Sequence, residues 1–176
     1  MDTLDLYIHE NTRTFKDEPK TIIEQIIVFT VNNEKLPLVD SLHFLLSYNK
    51  TVNIELFTCS CGVAGCAGWF DGINVKNRKH TVEWRIMDSK KQRKQTNVNR
   101  FYSFSKQNYE DSCLKCIKLL VEIEKKMLTV PEYANIDEYG SRHNLLYCAK
   151  WLADMNENSS FYPLLATEYK KEIGDL

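Results

Sequence analysis

The sequence predicts an α+β fold: an antiparallel β-sheet from the N-terminal two-thirds, with C-terminal helices packed on one of its faces. Two observations carry this expectation. Up to about residue 104, apolar residues alternate with polar ones, the period of a half-buried strand; beyond it they recur at every third or fourth position, the period of a helix. Strands first and helices after, rather than in alternation, is the ordering of α+β proteins. A third observation bounds the size. The 176 residues are 43% hydrophobic with only six Gly and four Pro, which is enough apolar material for a core. No internal repeat, low-complexity tract or linker interrupts the chain. It reads as a single domain over 1–176, strand-rich over 1–104 and helical over 105–176.

Taken in order, Leu4, Leu6 and Ile8 alternate with Asp5, Tyr7 and His9 in a short half-buried strand. Residues 12–20 are polar and charged and read as a loop ending near Pro19. Ile22 to Val31 is dense in β-branched residues and predicts a strand, with a turn at Asn32-Asn33-Glu34-Lys35. Ser41 is placed to cap a short helix through Leu45 and Leu46, with strand as the competing reading. Val52, Ile54 and Leu56 alternate with Asn53, Glu55 and Phe57 in a strand that runs into a cysteine cluster. Trp69 to Val75 and Thr81 to Met87 read as paired strands joined by the basic turn Lys76-Asn77-Arg78-Lys79. Ser89 to Asn99 reads as a loop, and Phe101 to Phe104 as a short aromatic strand.

The period then changes. Tyr109, Cys113, Cys116, Ile117, Leu120 and Met127 mark one face of a long helix, with Ser105 as its N-cap and Pro131 just past its end. A second helix, from about Ser141 to Met155, turns Leu145, Cys148, Ala149 and Leu152 inward. Pro163 starts a last one that reaches Ile173.

No run approaches the roughly 18 apolar residues of a membrane-spanning helix. The start, Met1-Asp2-Thr3-Leu4-Asp5, lacks the basic-then-apolar layout of a secretory signal, so a soluble cytoplasmic protein is expected. Net charge is −1 but unevenly spread. Residues 76–106 carry ten lysines and arginines against Glu83 and Asp88, while the first 75 residues sum to −5 and the last 70 to −4. Basic side chains interleaved with Trp84, Phe101, Tyr102 and Phe104 could form a single-strand nucleic-acid groove. The alternation of these aromatics places them instead on the core face of two strands. The acidic remainder of the surface would repel nucleic acid, which is not expected as a partner.

The most distinctive segment is Cys59-Ser60-Cys61-Gly62-Val63-Ala64-Gly65-Cys66-Ala67-Gly68. Cys59 and Cys61 sit two apart in a strand, so their sulfurs point to one side, and Gly62 and Gly65 allow a reversal that returns Cys66 towards them. Three converging thiols can begin a zinc site, with His80 or a distant cysteine as fourth ligand. The Cys-x2-Cys knuckle is absent here, so only half of such a site is visible. The competing readings are small side chains filling space beneath a glycine turn, which leads, and a thiol nucleophile at Cys66 with His80 as base. Cys113-Leu114-Lys115-Cys116 has the knuckle spacing but falls on the apolar stripe of the long helix, which predicts core packing. Hydrolase elbows, phosphate loops, dinucleotide fingerprints and paired-carboxylate motifs are missing, so no enzymatic activity is expected.

The cysteine turn, followed by Gly72-Ile73-Asn74-Val75 and Val82-Glu83-Trp84, resembles a pattern in small bacterial proteins. The chain as a whole is similar to the immunity proteins of contact-dependent growth inhibition systems and related polymorphic toxins. That resemblance implies a non-enzymatic cytoplasmic inhibitor without a cofactor. It would bind the toxin domain of its own system, often a nuclease, and occlude the active site or substrate groove. No contact residue carries over from the family by motif. The acidic and aromatic side chains beside the hairpin, Glu55, Trp69, Phe70 and Asp71, are the expected partner contacts. The alternative is a zinc-containing nucleic-acid-binding or regulatory protein, with Cys59, Cys61 and Cys66 as metal ligands and residues 76–106 as contact surface.

Overall fold

A long hairpin opens the chain. In the computed structural model, which describes residues 1–14, 21–36, 39–54, 73–86, 100–130, 145–157 and 160–174, strand β1 (Leu4–Thr14) pairs antiparallel with β2 (Thr21–Val31) from Leu4↔Val31 to Thr14↔Thr21. Residues 12–14, expected in a loop, continue β1. The ladder to β2 takes up their backbone groups whatever the polarity of the side chains. A two-residue turn at Asn32 (φ 52°) and Asn33 (φ 68°) then leads into β3 (Glu34–Lys35). Positive φ at both central residues matches the right-handed twist of the strands, and asparagine tolerates it better than most residues. The expected four-residue turn is therefore confined to its first half.

Helix α1 (Ser41–Leu45) is capped one residue earlier than the sequence suggested. Asp40 has the extended backbone of an N-cap (φ −70°, ψ 113°), and its Oδ1 accepts from the His43 N–H at 2.9 Å, leaving Ser41 as the first helical residue. Four strands follow: β4 (Val52–Ile54), β5 (Ile73–Asn77), β6 (Thr81–Ile86) and β7 (Arg100–Ser105), antiparallel and in chain order. Lys76 and Asn77 belong to β5, so the basic turn shrinks to residues 78–80, closed by Arg78 N–H donating to the Thr81 carbonyl at 2.8 Å.

The helical half is built from α2 (Lys106–Thr129), α3 (Leu145–Met155) and α4 (Tyr162–Ile173), with Pro163 in the first turn of α4. Ser105 caps α2 as expected, its Oγ accepting from the Asn108 N–H at 3.1 Å. Residues 131–144, with Pro131 and the expected start of α3 at Ser141, lie outside the described residues. The apolar stripe of α2 buries Tyr109, Cys113, Cys116, Ile117 and Val121 against the sheets, while α3 turns Leu145, Ala149, Leu152 and Ala153 inward and leaves Cys148 half-buried.

The fold is thus α+β with antiparallel sheets and helices on one side, but the described strands form two sheets, of three and four, where one was expected. Among the described residues, one parallel backbone bridge, Asp2↔Phe104, joins them. The reason they part lies at the next residues. The Leu4 N–H donates to Asn108 Oδ1 (2.9 Å), and its carbonyl accepts from Asn108 Nδ2 (3.1 Å) and Ser112 Oγ (3.0 Å). Side chains of α2 have replaced the ladder, and the seam between the sheets is filled by helix. Behind it sits one core drawn from both sheets and the four described helices, centred on edge-to-face contacts among Phe29, Phe44, Trp84, Phe104 and Tyr109. Among the described residues, no helix is long and apolar enough to cross a membrane.

Candidate functional site

Among the described residues, the four-stranded sheet is covered on one face. Val75, Val82, Trp84 and Phe104 point into the core, so the alternate residues face out. Register fixes which of these are neighbours. Asn53 lies opposite Asn74, Asn74 opposite Arg85, and Arg85 opposite Phe101; one step along, Lys76 lies opposite Glu83 and Glu83 opposite Ser103. Asn74, Lys76, Arg78, Glu83, Arg85 and Phe101 together line a shallow depression on this face. Lys76, Arg78 and Arg85 are exposed, and the Phe101 ring is 56% exposed. Arg78 leans on Glu83 at 3.4 Å, whereas Lys76 and Arg85 make no ion pair with any described carboxylate.

The expectation that the aromatics of this region all serve the core holds for Trp84 and Phe104, which are fully buried, and for Tyr102, which packs at the core's edge. It fails for Phe101. Successive strand residues point to opposite faces, and Phe101 is one place out of step with Tyr102 and Phe104, so it stands among the cations.

A second exposed feature lies in the helical layer. On α3, Tyr147, Trp151 and Met155 follow one another at four-residue steps and are 72%, 56% and 67% exposed. Lys150 and Asp154 pair beside them at 2.6 Å. The sequence carried the signal for this stripe. Once Leu145, Ala149 and Leu152 are assigned inward, every large apolar residue left on the helix surface must fall outside it.

Inside, one chain of buried polar groups ties α1, β6 and α2 together. The Trp84 Nε1–H donates to the Tyr109 hydroxyl at 3.0 Å, that hydroxyl pairs with Ser47 Oγ at 2.5 Å, and Ser47 donates to the Phe44 carbonyl at 2.6 Å. Burial pushes the Tyr109 phenol well above the usual tyrosine range, so it stays neutral. Cys113 and Cys116 are fully buried, and burial likewise pushes both thiols up. They are packing residues of the helix stripe, as their spacing suggested. His80, the fourth ligand or base in two of the readings above, is exposed at the turn between β5 and β6.

Glu55, Cys59, Cys61, Cys66, Trp69, Phe70 and Asp71, the partner contacts and metal ligands expected from the sequence, lie outside the described residues. Among the described residues, no three His, Cys, Asp or Glu side chains gather where they could hold a metal ion. Fold and surface together define an α+β protein with exposed basic residues on a sheet face and an exposed aromatic stripe on a helix. Comparison with protein-family models, with curated proteins and with solved structures gave no match to this chain.

Proposed function

We propose that the protein is a non-enzymatic immunity protein of the bacterial cytoplasm, which binds a cognate toxin domain and neutralises it by occlusion. The observation that supports this reading is the stripe on α3. Trp151 and Met155 stand more than half exposed on a helix whose opposite face is fixed in the core. Tryptophan and tyrosine dominate the energetics of protein interfaces, and a rigid helix presents them at little entropic cost. The negative charge of the last 70 residues suits a toxin with a basic substrate groove, as nucleases have.

The test is a growth experiment. The C-terminal region of the protein encoded immediately upstream should arrest growth when expressed in bacteria, and co-expression of this chain should relieve the arrest. Trp151→Ala should keep the fold by circular dichroism and weaken co-purification of the pair by about 30-fold or more, the loss typical of an interface hot spot. An upstream region that is harmless, or one whose toxicity this chain does not relieve, would sink the proposal.

A further inference from the structure

We infer that the outward face of the four-stranded sheet, where Lys76, Arg85 and Phe101 are exposed, is a binding surface for single-stranded nucleic acid, independent of the α3 stripe on the helical side. Three features of the face converge on that ligand. The first is charge: Lys76 and Arg85 are exposed, unpaired with any described carboxylate, and stand one strand apart on the same face, with Arg78 at its end. Phosphates of a flexible strand can reach such cations in turn. The second is the ring. Phe101 is directly opposite Arg85, so a base stacked on it holds its own phosphate within reach of the guanidinium. The third is Asn74, on the other side of Arg85, whose amide both donates and accepts and can meet a base edge. A run of acidic side chains would satisfy the cations equally but would leave the ring without a base to stack on it. Duplex nucleic acid would leave the ring unused, because its bases are already stacked.

Glu83 gives the proposal an internal control. It lies opposite Lys76 and 3.4 Å from Arg78, where it holds the arginine in place and repels an anion on that row. Removing its charge should therefore tighten binding, which no merely structural role predicts.

The experiment is fluorescence anisotropy of the full chain with a labelled 12-nucleotide oligouridylate and an oligothymidylate of the same length, across a salt series. With three cations engaged, the logarithm of affinity should fall against the logarithm of salt with a slope of about −2, from roughly −0.7 per neutralised phosphate. Lys76→Ala should reduce that slope by about 0.7. Phe101→Ala should weaken binding about 5- to 150-fold at unchanged slope, the range for loss of one stacked base. Glu83→Gln should tighten it a few-fold, and Trp151→Ala should change nothing. Because residues 87–99 carry four further cations, a variant with Lys90, Lys91, Arg93 and Lys94 all changed to Ser should still bind and still respond to Phe101→Ala. The inference is overturned by any of three results: no binding of either oligomer, binding indifferent to Phe101→Ala, or equal affinity for a polyglutamate peptide of matched charge. None of these bears on growth rescue, so the two readings fail separately.

Discussion

Tyr109 shows how one residue of the long helix fixes three elements at once. Its hydroxyl accepts from Trp84 on β6 and pairs with Ser47 just after α1, and the Ser47 hydroxyl donates to the Phe44 carbonyl. Every buried donor in this chain of bonds has an acceptor, so the aromatic cluster gains a polar spine without an unsatisfied group. Tyr109→Phe would keep the ring and its edge contacts while stranding the Trp84 N–H in the core. An orphaned buried donor costs about 1–3 kcal/mol, and a loss of about 2 kcal/mol is expected from urea unfolding. Ser47→Ala acts on the same bonds, so the double variant should be less destabilised than the sum of the two singles. Independent addition of the two effects would show that the chain of bonds does not act as a unit.

At the level of elements, the turn between β2 and β3 gives the sharpest test. Both of its central residues occupy the left-handed region, and Asn33 makes no side-chain bond that explains its choice among the described contacts. Backbone geometry is then what selects it. Asn33→Ala should lower stability by about 1 kcal/mol, because alanine lacks the short polar side chain that lets asparagine tolerate the left-handed region, while Asn33→Gly should match or exceed the wild type. This turn was legible in the sequence because its cause is local, and so were the Ser105 cap and the stripe of α2. The cap of α1 was not, because Asp40 and Ser41 are both good capping residues and only the backbone angle at Asp40 separates them. The extension of β1 through Thr14 was hidden because the partner strand stabilises it, not its own pattern. The same holds for the split between the sheets, which depends on Asn108 and Ser112 reaching Leu4 across 104 residues or more of chain. Phe101 was missed for a smaller reason. Three aromatics in four residues look like one face unless the alternation is counted from a fixed register.

For the whole molecule, the N-terminal end of β1 is where the two halves of the sheet system are stapled. The Asp2 N–H donates to the Ser103 carbonyl at 2.8 Å, and its carboxylate accepts from the Ser103 N–H (2.7 Å) and from Asn32 Nδ2 (2.8 Å). One side chain thus bonds β7 of one sheet and the β2–β3 turn of the other. The Ser103 backbone bond, first, and the Asn32 bond, second, hold the Asp2 carboxyl below its ordinary value of 3.8. A carboxyl whose folded pKa lies below its unfolded one stabilises the fold above the unfolded value and loses that contribution as pH falls through the folded one. The urea midpoint should therefore decline as pH drops below about 4. Asp2→Asn cannot accept from two donors with two oxygens, so it should be less stable than wild type at neutral pH, and the gap should close in acid. Asp5 has a lowered pKa as well, from its contact with Lys115 at 2.7 Å, but both side chains of that pair are about half exposed and salt screens them. Repeating the titration in high salt separates the two. The Asp2 effect rests on hydrogen bonds across the seam and should persist, whereas a gap that vanished with salt would mean that the sheets are held together there by charge alone.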